Sequence, residues 1–279
     1  MTAARTARRP RGSAVADAVL LSIAACFVLP LLWLVLGSLD PAAGHGTKVP
    51  LQPALDNFAA VLTPELLFRP LWNSLLLSVG TGAVTLTAAV LAAYPLSRFR
   101  SRFNTPFLYG ILFGTCLPVT AIMVPVYGLF VQLRLLDSLP ATVLFLSATS
   151  LPMAIWMTRN FMDTVPLAVE EAAWVDGASR LAALRSIVLP LMGPGLGVVF
   201  IFVFIQAWGN FFVPFVLLLS EANQPAAVSI FSFFGQNGAV AYGQLAAFSI
   251  LYSLPVLALY VIVARGSGNS LALSGAVRG

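Results

Sequence analysis

Six long stretches of this chain are apolar and contain no Asp, Glu, Lys, Arg or His, which restricts the possible folds more than any other feature. A helix needs roughly 20 apolar residues to cross about 30 Å of hydrocarbon at 1.5 Å per residue. The runs are continuous and lack the alternation of lipid-facing strands. The sequence therefore predicts an all-α, polytopic membrane protein with six transmembrane helices. The predicted spans are about 18–39, 71–96, 106–133, 139–158, 191–219 and 242–264.

Charge content and its distribution agree with a membrane location. Only 9% of the residues are charged, against about a quarter in soluble chains, which excludes an ordinary cytosolic enzyme. With the N-terminus in the cytoplasm, twelve arginines fall in inner segments, whereas Lys48, Arg69 and Arg134 fall in outer ones. Cytoplasmic segments are the ones that carry such an excess. We therefore expect cytoplasmic tails at 1–17 and 265–279, with the transmembrane domain at 18–264 between them.

The absence of charge inside the spans bears on function. Carriers driven by ions or protons usually keep ionisable residues within the membrane, so an ion-coupled transporter is disfavoured, although neutral oxygens can still bind sodium. A membrane enzyme is disfavoured because the single histidine, His45, lies in a Gly-rich outer loop, where we expect it to be solvated. The chain has no cluster of residues at metal-ligand spacing, and neither a metal nor a cofactor is expected.

One long inner loop, 159–190, predicts two short helices joined at a glycine. Thr164 is a candidate N-cap for a helix that begins near Pro166 and ends near Asp176. Gly177 can adopt the positive φ that ends such a helix, and Ser179 can cap the next one. On physical grounds alone, an amphipathic hairpin lying on the inner leaflet explains this pattern equally well.

The order of residues in this loop resembles a known family. EEAAWVDGAS, followed by IVLPLMGPG, resembles the EAA loop of permease subunits of ATP-binding-cassette (ABC) importers. NSLLLSVGTGAVTLTAAVLAAYPLSRFR, SLPMAIWMTRNFMDTVP and the tail SLALSGAVRG resemble the carbohydrate, maltose-type branch, so the likeness extends from about Asn57 to Gly279. The resemblance implies that the loop forms a coupling helix that docks on a cytoplasmic ATPase. The residues that it assigns to this role are Glu170, Glu171, Ala172, Ala173, Asp176 and Gly177.

The resemblance also implies partners. They are a second homologous permease subunit, two cytoplasmic ABC ATPases, an extracellular or periplasmic sugar-binding protein and a sugar substrate, all at a bacterial plasma (inner) membrane; no nucleic acid is expected. This chain has no GxxxxGK[ST] phosphate loop, so ATP hydrolysis is assigned to the separate subunit and not to this chain.

Substrate contacts are predicted from chemistry alone. Aromatic and amide side chains suit a neutral sugar, and the candidates for the pathway are Asn73, Tyr127, Gln206, Trp208 and Asn210, with Tyr94 and Gln244 also suitable. For each of them a structural role, in helix packing or at the bilayer interface, is the favoured interpretation. The alternatives left open are an EAA-loop permease for a polyamine, phosphate or peptide, and an ion-coupled transporter.

Overall fold

The computed structural model describes the backbone of residues 11–44, 46, 49–99, 101–235 and 240–275, with side chains between 16 and 263. Within these ranges almost every residue with regular structure is helical, and the one extended pairing is an isolated antiparallel bridge between Phe234 and Val240. The predicted all-α class is confirmed. His45 and the last four residues, which include Gly279, lie outside the described residues.

The helices alternate between long apolar ones and short connecting ones. In chain order they are α1 (Arg11–Ser38), α2 (Asp56–Val61), α3 (Arg69–Arg98), α4 (Asn104–Gly114), α5 (Val119–Gln132), α6 (Leu139–Asp163), α7 (Leu167–Val175), α8 (Arg180–Ala183), α9 (Leu189–Leu191), α10 (Gly193–Trp208), α11 (Phe212–Leu217), α12 (Ala226–Ser229) and α13 (Tyr242–Gly275). A π-helical turn, Pro64–Phe68, leads into α3, and another, Leu184–Val188, connects α8 to α9.

Four helices of the described chain are long and apolar enough to cross a membrane, and two bent pairs bring the number to as many as six. The four are Ala16–Ser38, Pro64–Arg98, Leu139–Asp163 and Tyr242–Val263. The predicted span 106–133 is not one continuous helix, because α4 and α5 meet at 86°. The predicted span 191–219 is also interrupted: Arg180–Leu191 meets α10 at 81°, and α10 ends before the separate helix α11.

The described residues within 1–63 and 233–251 form one of two compact units. Here the end of α1 is tied to α2 by Asn57, whose amide nitrogen donates to the carbonyls of Ser38 at 3.2 Å and Asp40 at 2.9 Å. Gly243 at the start of α13 lies against the Asn57 side chain, where a Cβ would clash. The two hydrogen bonds satisfy the buried Asn57 amide, which would otherwise be costly to bury.

The described residues within 64–232 and 252–279 form the second unit, in which α3 packs along α6 and α10. Its central core contains Ala89, Ile155 and Val203. The close approach of these helices depends on a residue without a side chain, because a Cβ at Gly82 would lie 2.7 Å from the Phe200 ring. Small residues at helix contacts allow this packing inside membranes.

An aspartate organises the turn between α5 and α6. The Oδ1 atom of Asp137 accepts from the Ser220 N–H at 3.0 Å, and its carbonyl accepts from the Asn223 amide at 2.9 Å. Burial raises the pKa of Asp137, but hydrogen bonds from Ser220, Asn223 and Leu219 outweigh that effect and hold the pKa below the ordinary value of 3.8. The ionised carboxylate therefore fastens this turn to the segment after α11.

Candidate functional site

The loop between α6 and α10 folds into a helical hairpin, which we define as residues 164–191. Gly177, at φ 89°, ends the first arm α7, and the Gly177 N–H donates to the Trp174 carbonyl at 3.1 Å. The Ser179 Oγ accepts from the Ala182 N–H at 3.3 Å and caps the second arm, which runs from Arg180 to Leu191. The predicted positive φ at Gly177 and the predicted cap at Ser179 are confirmed.

The predicted N-cap of the first arm is wrong by two residues, whereas the helix begins at Leu167, next to the predicted Pro166. Thr164 does not cap α7, because its hydroxyl donates back to the Phe161 carbonyl at 2.7 Å and so belongs to the end of α6. Pro166 holds the N-cap position instead, with extended ψ at 131° and no side-chain cap. A threonine can bond either the preceding turn or the following one, and the extended residue at Pro166 decides between them here.

The hairpin is fixed to α3 by a buried acid. Glu170 has an exposed fraction of 0% and accepts from the Tyr94 hydroxyl at 3.0 Å and from the Arg98 Nε at 2.5 Å. The Arg98 side chain is only 7% exposed, and its NH2 group donates to the Val165 carbonyl at 3.1 Å. Each charged group is therefore paired and hydrogen-bonded, as burial of charge requires.

A second pair of polar contacts extends this anchor to the end of α6. The Ser97 hydroxyl donates to the Asp163 carboxylate at 2.5 Å, and Asp163 also forms an ion pair with Arg159 at 3.6 Å. This outer layer is more exposed than the Arg98–Glu170 pair and contributes correspondingly less. These contacts nevertheless link the end of α3 to the end of α6, where the hairpin begins.

Apolar side chains complete the attachment of the second arm. Leu184, Val188 and Met192 lie in one cluster with Val90 and Tyr94 of α3. Val188 is fully buried, and Leu184 is 4% exposed. Beyond Met192 the chain turns by 81° into α10, so the hairpin is continuous with α10 as well as packed against α3.

The remaining coupling candidates face away from this anchor. Glu171, Ala172, Asp176 and Gly177 are exposed and Ala173 is partly buried. Val175, between them, is 87% exposed. Consecutive helical residues are about 100° apart, which explains how Glu170 can point inward while its neighbour points outward. The predicted coupling set is thus divided between an internal anchor and an open surface.

A cavity of about 340 Å³ lies beside the break between α4 and α5. Gln206 and Asn210 of the predicted pathway set line it. The other polar side chains in its wall are Thr115, Thr149 and Ser150, which the sequence analysis missed. No described residue forms a hydrogen bond with the Gln206 side chain, so its amide can bind a solute hydroxyl. The sequence signal for the break beside this cavity was the TCLP segment, where Pro118 interrupts an apolar run.

The other three pathway candidates lie elsewhere. Asn73 is buried and donates to the carbonyls of Ala222 and Gln224 at 2.9 and 3.1 Å, so its amide is used in fixing the segment between α11 and α12. Trp208 is stacked between Phe204 and Tyr252 at ring distances of 5.5 and 5.3 Å. Tyr127 is 38% exposed and does not line this cavity. Tyr94, also considered for sugar contact, bonds Glu170 instead.

The chain is similar to known transport proteins. The model of a family described as binding-protein-dependent transport system inner membrane component matches residues 85–267. The trehalose transport system permease protein SugB of Mycobacterium tuberculosis is 29% identical over 276 residues, which is 98% of this chain and 99% of that protein. The sulfoquinovosyl glycerol transport system permease protein SmoH of Agrobacterium fabrum is 31% identical over 71% of this chain and 70% of that protein.

A solved structure has the same fold. It is a bacterial ABC transporter involved in the import of the acidic polysaccharide alginate, and one of its chains matches with a TM-score of 0.78 and 23% identity. The match covers 93% of this chain and 99% of that chain. The apolar helices that can cross a membrane agree with this family match and with the shared fold. The chain therefore belongs to the family of binding-protein-dependent transport system inner membrane components, as an inner-membrane permease subunit of an ABC transporter.

Proposed function

We propose that the chain forms half of the translocation pathway of a sugar importer. Several of its relatives are named for the transport of trehalose, diacetylchitobiose or glucose. The cavity beside the α4–α5 break is lined by hydroxyl and amide groups set among apolar side chains, and by no ionisable residue. Such groups suit a neutral, hydroxyl-rich solute, because they can exchange hydrogen bonds with it without the desolvation of a charge.

The importer would contain four further components: a second, homologous permease subunit, two cytoplasmic ATPases and an external sugar-binding protein. The family description, binding-protein-dependent transport, supports this composition. Both termini and the hairpin would face the cytoplasm, where the excess of arginine lies. The chain itself would hydrolyse nothing, and ATP would be consumed by the partner ATPases.

The buried Arg98–Glu170 pair is the observation that carries the coupling proposal. Closure of the ATPases would displace the exposed surface around Glu171, Val175 and Asp176. The hairpin would move as a rigid piece, because Glu170 and the Leu184 and Val188 side chains hold it to α3. Packed elements shift between discrete arrangements and do not stretch continuously, so this movement would tilt α3 and α10 and open the pathway outward.

Docking is tested by charge reversal on the exposed surface. Glu171→Arg in the assembled importer should reduce copurification of the ATPase, because it places a cation in a surface that now carries two carboxylates, Glu171 and Asp176. Glu221→Arg is the matched control, since Glu221 is also exposed but lies far along the chain near α11. Equal recovery of the ATPase with both variants would refute the assignment of this surface.

The pathway is tested separately at Gln206. Replacing Gln206 by Leu keeps the volume of the side chain but removes its amide, so the KM for uptake should rise about tenfold, the equivalent of one or two lost hydrogen bonds. ATP hydrolysis stimulated by the binding protein should change little. Gln132→Leu is the control, because Gln132 is exposed at the end of α5 and does not line the cavity. An unchanged KM in the Gln206 variant would remove Gln206 from the pathway.

A further inference from the structure

A second cavity, which we call the leucine groove, lies between α3 and the second arm of the hairpin. Its volume is about 340 Å³, within the range of small-molecule sites. Its wall includes Leu86 and Leu91 from α3 and Leu181, Leu184, Arg185 and Leu189 from the hairpin. The groove belongs neither to the cavity beside the α4–α5 break nor to the exposed surface around Glu171.

The interior of the groove is almost entirely hydrocarbon. Thr87 lines it too, but the Thr87 hydroxyl donates to the Ala83 carbonyl at 2.8 Å and so needs no partner from a ligand. Leu91 is 57% exposed and Leu181 is 66% exposed at its rim. An apolar surface of this kind gains free energy when it is covered by hydrocarbon or by another apolar surface.

One cationic side chain, that of Arg185, lies at this apolar surface. Arg185 is exposed and is the single ionisable residue among those that line the groove. In the described part of the chain the ion pairs are Arg98–Glu170 and Arg159–Asp163, so no described carboxylate neutralises Arg185. Arg180, on the preceding turn, is already engaged, with its guanidinium 4.9 Å from the centre of the Phe99 ring.

The position of the groove along α3 fits the part of a lipid leaflet that lies next to the headgroups. Leu91 precedes the end of α3 at Arg98 by seven residues, or about 10 Å along the helix axis. The groove also continues an exposed apolar face of α3, on which Leu76, Val84 and Leu91 are spaced by about two turns each. Apolar surface on a span and a cation near its end are what an acyl chain and a phosphate require.

We propose that the leucine groove binds one anionic phospholipid of the surrounding leaflet. One acyl chain occupies the groove between α3 and the second arm, and the Arg185 guanidinium pairs with the phosphate. The bound lipid thereby contacts both the hairpin and the helix to which the hairpin is anchored. This site does not depend on the identity of the cargo or on ATPase docking.

The test is a comparison of lipids on the assembled transporter complex, purified and then stripped of lipid. Phosphatidylglycerol and phosphatidylcholine with identical acyl chains are added, and bound lipid is counted by native mass spectrometry. We expect phosphatidylglycerol to bind about fivefold more tightly, as one cation near a membrane surface gives. Arg185→Gln should abolish that preference. Arg102→Gln is the control and should retain it, because Arg102 lies outside the groove, where it stacks on Phe103.

The apolar part of the site is tested independently. Leu91→Trp fills the groove and should reduce binding of both phospholipids; if that variant fails to assemble, Leu181→Trp at the exposed rim replaces it. A benzophenone side chain placed at Leu181 should crosslink to lipid upon illumination. Equal affinity for the two lipids in the unaltered complex, a preference that survives Arg185→Gln, or crosslinking to another subunit in place of lipid would each overturn the proposal.

Discussion

Removing the charge of Glu170 tests whether the buried ion pair holds the hairpin in place. Glu170→Gln keeps the shape of the side chain but leaves the Arg98 guanidinium, which is 7% exposed, without a counter-charge. Breaking a buried pair in this way costs about 3–5 kcal/mol. Because the lost contacts connect α7 to α3, we expect the cost to lower the free energy of local hairpin detachment.

Hydrogen exchange of amides in residues 167–188, measured by mass spectrometry on the assembled complex, reports this detachment. A loss of about 3–5 kcal/mol corresponds to roughly two to three and a half orders of magnitude in protection. Tyr94→Phe removes one hydrogen bond to the carboxylate and should cost less, about 1.5–3 kcal/mol. Glu171→Gln is the matched control, since Glu171 is exposed on the same turn and should stay within about 0.5 kcal/mol.

A double replacement separates charge neutralisation from other roles of the pair. Arg98→Met combined with Glu170→Met removes both charges and fills similar volume, so most of the protection should return. Protection in Glu170→Gln within about threefold of that in Glu171→Gln would show that the ion pair does not hold the hairpin. A double variant as unprotected as the single one would show that the two residues do more than neutralise each other.

Three further changes have defined outcomes. Gly177→Leu meets open space but must adopt φ 89°, at a cost of about 1–2 kcal/mol, and we expect ATP hydrolysis without uptake; normal coupling would contradict this expectation. Gly195→Ala places a Cβ 2.6 Å from Phe161 and should lower thermal stability by about 1–3 kcal/mol, whereas Gly193→Ala, with nothing within 4 Å, should not. The pKa of Asp137 is lower in the folded protein than the ordinary value of 3.8. Its contribution to stability is therefore present above pH 3.8 and is lost as the pH falls through the lower folded pKa. Thermal scans from pH 7 to about 3 should show this loss in the natural chain but not in Asp137→Asn.

Local signals were sufficient to predict the hairpin. Gly177 and Ser179 have the roles that their residue types favour at the end and the start of a helix, and neither role depends on distant parts of the chain. Thr164 was predicted wrongly because two local hydrogen bonds compete for one hydroxyl, and the sequence does not show which the backbone permits.

The bends in the apolar stretches could not be predicted from hydropathy. A window of apolar residues has the same average whether the helix continues or turns by 86° after Gly114. TCLP at 115–118 and MGPG at 192–195 contain the residues that permit a turn, but proline also occurs inside uninterrupted helices here, as at Pro95 and Pro152. The direction of each bend is set by packing between residues that are far apart in the chain.

The pairing of Glu170 with Arg98 was also beyond prediction, since 72 residues separate them. In the sequence both residues look like ordinary charges of inner loops, and Glu170 looks the same as Glu171. The resemblance to the EAA family assigned both glutamates to coupling. Only the three-dimensional arrangement shows that one is buried against α3 and the other is exposed.

The buried Glu170 makes α3 the helix that connects the hairpin with a second attachment point, at Asn73. At one end Arg98 bonds the hairpin, and 25 residues earlier, about 38 Å along the axis, Asn73 bonds the carbonyls of Ala222 and Gln224 between α11 and α12. A docking contact on the exposed arm is made of surface groups, each worth about 0–1 kcal/mol, whereas detaching the hairpin costs several times more. If an ATPase docks at Glu171 as proposed, a force applied there would therefore displace α3 before it broke the anchor. Because α3 is a continuous helix over this length, the same displacement would reach the segment between α11 and α12.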